Sequence, residues 1–306
     1  MSTQTDKANE LHEKLKAGVE SLASSEQWKA MLAAAAKFHR YSFNNLMLIA
    51  MQAPRATAVA GYRTWQTLGR QVTKGSTGIQ ISGYGEVRID PDDPESEKRK
   101  VFPVQHVFDL SQTEPIPVKE DLAAELTREH PALNADDELG IMDAVAAWAA
   151  EHGWTFRIGD VGHSDRRGYS NPETREIVVK EGMSGADIAK TSLHEAGHVI
   201  LGHCDDDADD YTLHRGRMEE EAESVAFITA SLLGLGTSSS SFEYVAGWSQ
   251  RDPELVEATG KLVVKKAREL YEQLTVNTDA AHSGDTHDLT LEFGRGPVRP
   301  SAVLTR

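Results

Sequence analysis

At Pro54 the hydrophobic pattern of this 306-residue chain changes period, and that change limits what its first part can become. Before it, apolar residues recur at helical spacing through LHEKLKAGVESLA, WKAMLAAAAKF and NNLMLIAMQA, between residues 7 and 53. Proline has no amide hydrogen and its ring crowds the preceding turn, so the helical run stops there. After it come TAVAGY, GIQISGYGEV and VFPVQHVFDL, short and β-rich, separated by Gly75, Gly78, Gly83 and the loop PDDPESEKRK. That is the pattern of a small sheet with a hairpin insertion. The expected fold class is α+β, with a first unit over residues 1–118.

Residues 114–134, EPIPVKEDLAAELTREHPALN, carry three prolines and many charges and read as a boundary, with the linker placed at 119–134. A second, mainly helical unit with a small sheet is expected over 135–276. Asp136 and Asp137 are candidate caps ahead of LGIMDAVAAWAAEHGW, followed by the strand-and-turn candidate RGYSNPETREIVVK and three more helices. The stretch 277–306 is mixed in charge and weakly apolar, and is expected to be disordered.

Charge divides the chain the same way. Residues 1–113 hold 14 Lys and Arg against 12 Asp and Glu; the remainder holds 18 against 36. Between Gln27 and Gly85 there is no acid, while seven Lys or Arg and seven of the chain's 20 aromatic residues stand there. Cations that track phosphates and rings on which bases stack are what a single-stranded nucleic acid groove requires. The alternative is a set of core rings with a solvated basic face. No run of 18 apolar residues and no basic-then-apolar leader is present, so a cytoplasmic location is expected. The single cysteine, Cys204, excludes an internal disulfide and a cysteine-rich zinc site. Any metal must then be held by His and carboxylates.

Ser184 to His203 reads SGADIAKTSLHEAGHVILGH. Ser184 with Asp187 resembles a capping box, which starts a helix near Gly185, and Ala189, Leu193, Ala196 and Ile200 form its apolar stripe. On an adjoining face His194 and His198, at i and i+4, can share one metal ion, and Glu195 can act as general base toward its bound water. A catalytic zinc needs a third protein ligand, for which Arg217–Leu235, RMEEEAESVAFITASLLGL, offers carboxylates. The metzincin pattern is excluded, since Leu201 and Cys204 stand where it needs Gly and His. His203 lies about 140° round a continued helix from His198 and is not expected to ligate.

The string HEAGHVILGH, followed by Glu219-x-x-Ala222-Glu223-x-x-Ala226, resembles the gluzincin arrangement of ImmA/IrrE-type metallopeptidases. That resemblance implies one Zn2+ held by His194, His198 and Glu219, with Glu195 as base and Glu223 supporting the first histidine. The run Glu219, Glu220, Glu221 leaves the ligand register open, with a solvated face expected for the two not used. YSFNNLMLIAMQAPRATAVAGYRTWQTLGRQVTKGSTGI, closing with VFDLSQT, resembles the single-stranded-DNA-binding domain of ArdC antirestriction proteins, in which a zinc metallopeptidase-like domain follows. The resemblance implies a DNA-binding protein of mobile elements that helps incoming DNA escape restriction; taken together, the two units are expected to hold single-stranded DNA and, through a zincin-type zinc-dependent peptidase, to act on protein bound to or near it.

On this reading Arg40, Arg63, Arg70 and Lys74 pair with phosphates, Tyr62 and Trp65 stack on bases, and Asn44 and Asn45 hydrogen-bond to bases or cap turns. Tyr169 and Tyr244 are candidates for stabilising the oxyanion, and Gly168–Val179 for pairing with an extended substrate. The acidic run CDDDADD, Cys204 to Asp210, is expected to be a solvated loop, with a second cation as the alternative. Three other functions remain open: a DNA-coating protein with a structural zinc site, an acidic DNA mimic, and an ImmA-like peptidase that cleaves a repressor.

Overall fold

A computed structural model describes residues 4–22, 25–90, 92–93, 95–117, 119–123, 138–205, 208–235 and 252–281. They divide into two compact units, one formed by residues up to Gly18 and from Met47 to Ala123, the other by Val19–Leu46 and the residues from Glu138 on. The chain crosses between them within α1 (Gln4–Ser21) and within α3 (Phe43–Gln52).

In the first unit, β1 (Val59–Gly61), β6 (Val104–Asp109) and β3 (Ile79–Ser82) make an antiparallel sheet in the order β1-β6-β3, with Val59 opposite Asp109 and Ile79 opposite Val107. The short helix α4 (Tyr62–Thr67) follows β1. It delivers Trp65 into a core of Ala58, Ala60, Leu68 and Ala123, with Val72, Phe108, Leu110 and Leu122 packed against it. Asp109 closes the sheet: its carboxylate accepts from the amides of Thr57 at 2.6 Å and Ala58 at 3.2 Å, and caps the turn Leu110–Gln112 through Ser111. Burial works against its charge, but the bonds from Ser111, Thr57 and Ala58 outweigh burial and hold it below the usual carboxylate range. Two ribbons complete the unit, β2 (Arg70–Val72) with β7 (Thr113–Pro115), and β4 (Gly85–Arg88) with β5 (Lys98–Val101), the expected hairpin insertion.

In the second unit, β8 (Thr155–Gly159), β9 (Gly168–Asn171) and β10 (Glu176–Lys180) form a sheet in the order β8-β10-β9. β10 is parallel to β8 and antiparallel to β9, and its Ile177, Val178 and Val179 are fully buried, as a central strand requires. Around this sheet and beside it stand α2 (Ser25–Lys37), α5 (Glu138–Glu151), α6 (Gly185–Leu201), α7 (Ala208–Leu232) and α8 (Pro253–Ala281).

The division differs from a cut at residue 118 in two respects: residues 19–46 cluster with the second unit, and 119–123, expected as linker, cluster with the first, where Ala123 joins its core. Trp28 on α2 is fully buried and donates its Nε1–H to Ser224 Oγ on α7 at 3.0 Å, and Arg268 on α8 donates to the Tyr41 carbonyl at 2.9 Å. Two further boundaries move. Helix α8 runs through Ala281, so Asn277 does not open a disordered tail, and residues 282–306 lie outside those described. Helix α7 starts at Ala208, so the end of CDDDADD is helical. No described helix is long and apolar enough to cross a membrane.

Candidate metal centre

Helix α6 begins as its sequence dictates. Ser184, extended at φ −64° and ψ 154°, accepts from the Asp187 amide at 3.2 Å, and its hydroxyl donates to the Asp187 carboxylate at 2.7 Å. The face bearing Ala189, Leu193 and Ala196 is fully buried, with the expected fourth member of the stripe, Ile200, half-buried, and this turns the neighbouring His194 and His198 toward α7. Gly197 lets α7 come close: a Cβ built there would stand 3.0 Å from the Ala222 carbonyl oxygen and 3.3 Å from its Cα. No larger residue permits that approach without moving a helix backbone.

The crossing brings Glu219 to the two histidines. His194 Nε2 and His198 Nε2 are 3.2 Å apart, and Glu219 Oε2 lies 3.4 Å from the first and 3.7 Å from the second. Bonds of about 2.1 Å directed to the corners of a tetrahedron would put ligand atoms about 3.4 Å apart, so the three donors have the spacing that one divalent ion requires. Among the described residues this is the group of three that meets it. Burial alone would push His194 down, but its bonds to Glu219 and Glu223 prevail and push it up to about 10. Glu219 is held far below the usual carboxylate range by its bonds to His194 and His198. Of the three adjacent acids, Glu219 faces the histidines; Glu220 and Glu221 are buried rather than solvated.

Glu223, one turn beyond Glu219, meets His194 Nδ1 at 2.8 Å, which fixes the ring with Nε2 toward Glu219. Glu195 is buried, and its Oε2 accepts from Ser170 Oγ at 2.9 Å. Ser170 sits on β9, an edge strand, and its neighbour Tyr169 does not share its direction. Successive residues of a strand face opposite sides, so Tyr169 turns away from Glu195, under the guanidinium of Arg166 at 5.4 Å. Of the two oxyanion candidates, Tyr169 thus points away from Glu195, and Tyr244 lies outside the described residues. Strand parity was the signal for Ser170, given a register for β9 against α6 that the sequence does not supply.

His203 does not ligate, yet it does not face elsewhere. Helix α6 ends at Gly202 in the left-handed region, φ 81°, and the His203 amide returns to the His198 carbonyl at 3.0 Å. The turn folds the His203 ring back to His198, with Nδ1 to Nδ1 at 3.1 Å.

The residues proposed for DNA fare unevenly. Trp65 is fully buried and donates Nε1–H to the Phe108 carbonyl at 3.0 Å, so it is core and not a stacking platform. Arg70 ties β2 to β7: Nε donates to Thr113 Oγ1 at 2.7 Å, Nη2 to the Thr113 carbonyl at 3.0 Å, and Nη1 pairs with Asp121. Its guanidinium is spent on structure rather than on phosphate. Tyr62, Arg63 and Lys74 are exposed on the first unit. Arg40, exposed, and Asn44 and Asn45, half-buried, belong to the second.

Residues 2–109 match the family model described as the N-terminal domain of anti-restriction factor ArdC. No curated protein matches the chain. Among solved structures the chain is similar to the metal-free crystal structure of the antirestriction ArdC protein from R388 plasmid, at 24% identity over 80% of this chain and 85% of that one, with a TM-score of 0.49. It is also similar to the Mn(II)-bound crystal structure of that protein, at 21% identity over 76% of this chain and 83% of that one, with a TM-score of 0.46. The family match stops at residue 109, well before His194, His198 and Glu219.

Proposed function

We propose that the chain is an ArdC-type antirestriction protein, whose N-terminal part binds single-stranded DNA and whose second unit is a metal-dependent peptidase. The match over residues 2–109 supports the first half. The observation that carries the second is the triad of His194, His198 and Glu219 at tetrahedral spacing, with the buried Glu195 next to it in sequence. These three residues would hold one divalent ion, and two imidazoles with one carboxylate suit Zn2+. Such an ion, when bound, polarises a carbonyl and acidifies water.

The chain supplies the rest. Glu195 accepts the proton of the attacking water, and the Ser170 hydroxyl holds its carboxylate in one orientation, as a general base requires. Glu223 keeps His194 in the tautomer with its proton on Nδ1. β9 lies at the sheet edge and can accept an extended peptide as a further strand.

Glu195→Gln tests the peptidase. Wild-type protein, supplied with Zn2+ or Mn2+ and a single-stranded oligonucleotide, is incubated with a panel of unfolded proteins, and cleavage is followed by mass spectrometry. Cleavage is expected from the wild type alone, with metal and oligonucleotide binding unchanged in the variant; cleavage by the variant at the wild-type rate refutes the role of Glu195. The turning away of Tyr169 favours one other reading, a DNA-coating protein with a structural metal site. Antirestriction by the variant at the wild-type level, with no cleavage by either protein, selects that reading.

A further inference from the structure

Behind the metal-facing edge of His198 runs a second set of buried polar groups. His203 is 7% exposed and Glu221 5% exposed. His203 Nδ1 lies 3.1 Å from His198 Nδ1, and its Nε2 lies 3.1 Å from Glu221 Oε2. Glu221 is held in turn by the Thr259 hydroxyl, which donates to Oε1 at 3.2 Å, and by Arg217 Nε at 3.6 Å from the same oxygen. Three helices, α6, α7 and α8, thus contribute to one line of contacts ending on His198.

The protons along this line follow from chemistry. His198 turns Nε2 toward His194 and Glu219, so as a neutral metal ligand it carries its proton on Nδ1. That N–H donates to His203 Nδ1, which must therefore be the bare nitrogen, and the His203 proton sits on Nε2 and donates to Glu221. Each group's role is fixed by its neighbour. His194 receives a carboxylate directly, from Glu223; His198 receives one through an intervening imidazole.

We infer that His203 and Glu221 are positioning residues for the metal centre, a relay that fixes the tautomer and ring plane of His198 and raises its strength as a ligand. The inference rests on the metal-site reading above. It also accounts for Glu221 being buried two residues from Glu219 on a different face of α7: a helix turns about 200° over two residues, and the fold of the chain at Gly202 brings His203 to that face.

The test measures Zn2+ affinity of the full-length protein by competition with a chromophoric chelator, with the visible spectrum of the Co2+ form as a report of coordination and the melting temperature of the metal-free protein as a control. His203→Ala is expected to weaken Zn2+ binding by about 10- to 100-fold, as removal of a histidine's outer hydrogen-bond partner typically does, and to shift the Co2+ bands. His203→Asn, whose Oδ1 can accept where Nδ1 accepts, is expected to recover most of the affinity. Glu221→Gln, which keeps the packing and removes the charge, is expected to fall between. Wild-type affinity and spectrum in His203→Ala would overturn the relay, as would equal losses in His203→Ala and His203→Asn. His194→Ala separates the premise: affinity unchanged in that variant removes the metal site itself, whereas affinity abolished there and unchanged in His203→Ala removes the relay alone.

Discussion

Replacing Gly197 by alanine sets two effects of known size against each other. Alanine in a helix interior is favoured over glycine by about 1 kcal/mol. The new methyl would stand 3.0 Å from the Ala222 carbonyl oxygen and 3.3 Å from its Cα, closer than such contacts normally lie, and the opposing atoms are helix backbone. Relief requires α6 and α7 to part by a few tenths of an ångström, and overpacking of this kind costs about 1–3 kcal/mol. The metal-free protein should therefore lose no more than about 2 kcal/mol once the gain in helix propensity is set against the strain. The metal site has less tolerance. His194 and His198 ride on α6 and Glu219 on α7, and ligand distances are fixed to about 0.2 Å. Zn2+ affinity should fall at least tenfold while the melting temperature changes by a few degrees. Calorimetric melting of the metal-free protein and chelator competition measure the two separately. A variant stabilised by about 1 kcal/mol, the value of helix propensity alone, with Zn2+ affinity intact would refute the idea that Gly197 sets the distance between the helices.

Lys74→Ala and Arg63→Ala should each reduce the salt dependence of single-stranded DNA binding by about one unit of slope. Arg70→Ala should leave that slope unchanged and lower stability by about 1–3 kcal/mol, since it removes bonds to Thr113 and Asp121; the opposite assignment of slope and stability would refute the structural role of Arg70. Asp109 is held below the ordinary carboxylate value in the fold, so its contribution is present above that value and is lost as pH falls through the lowered one. Asp109→Asn should flatten the acid side of a melting-temperature profile below about pH 4, and profiles that stay parallel would count against it.

Local signals in the sequence located the start of α6, its buried stripe, the i and i+4 histidines and the hairpin insertion, because each is set by residues within one or two turns. What the sequence hid depends on which surfaces meet. The acid-free window between Gln27 and Gly85 mixes two populations that composition cannot separate. Trp65 and Arg70 serve the first unit's core and ribbon, Trp28 serves the second unit, and Tyr62, Arg63 and Lys74 remain for solvent. An aromatic beside a cation is compatible with each of these environments, and burial decides among them.

The three adjacent acids show the same limit at the metal centre, and what resolves it. On α7, Glu219 and Glu223 lie one turn apart on the face that Gly197 allows against α6, and both reach His194. Glu221 points elsewhere along the same helix and meets His203, which is there because the chain reverses at Gly202. Projecting α6 forward as an unbroken helix sends His203 away from the site. Ending it in a left-handed glycine brings the ring back to His198. A run expected to give one ligand and two solvated acids thus divides into one acid facing the two histidines and two buried ones, and one of the buried pair, Glu221, is joined to the second histidine through His203.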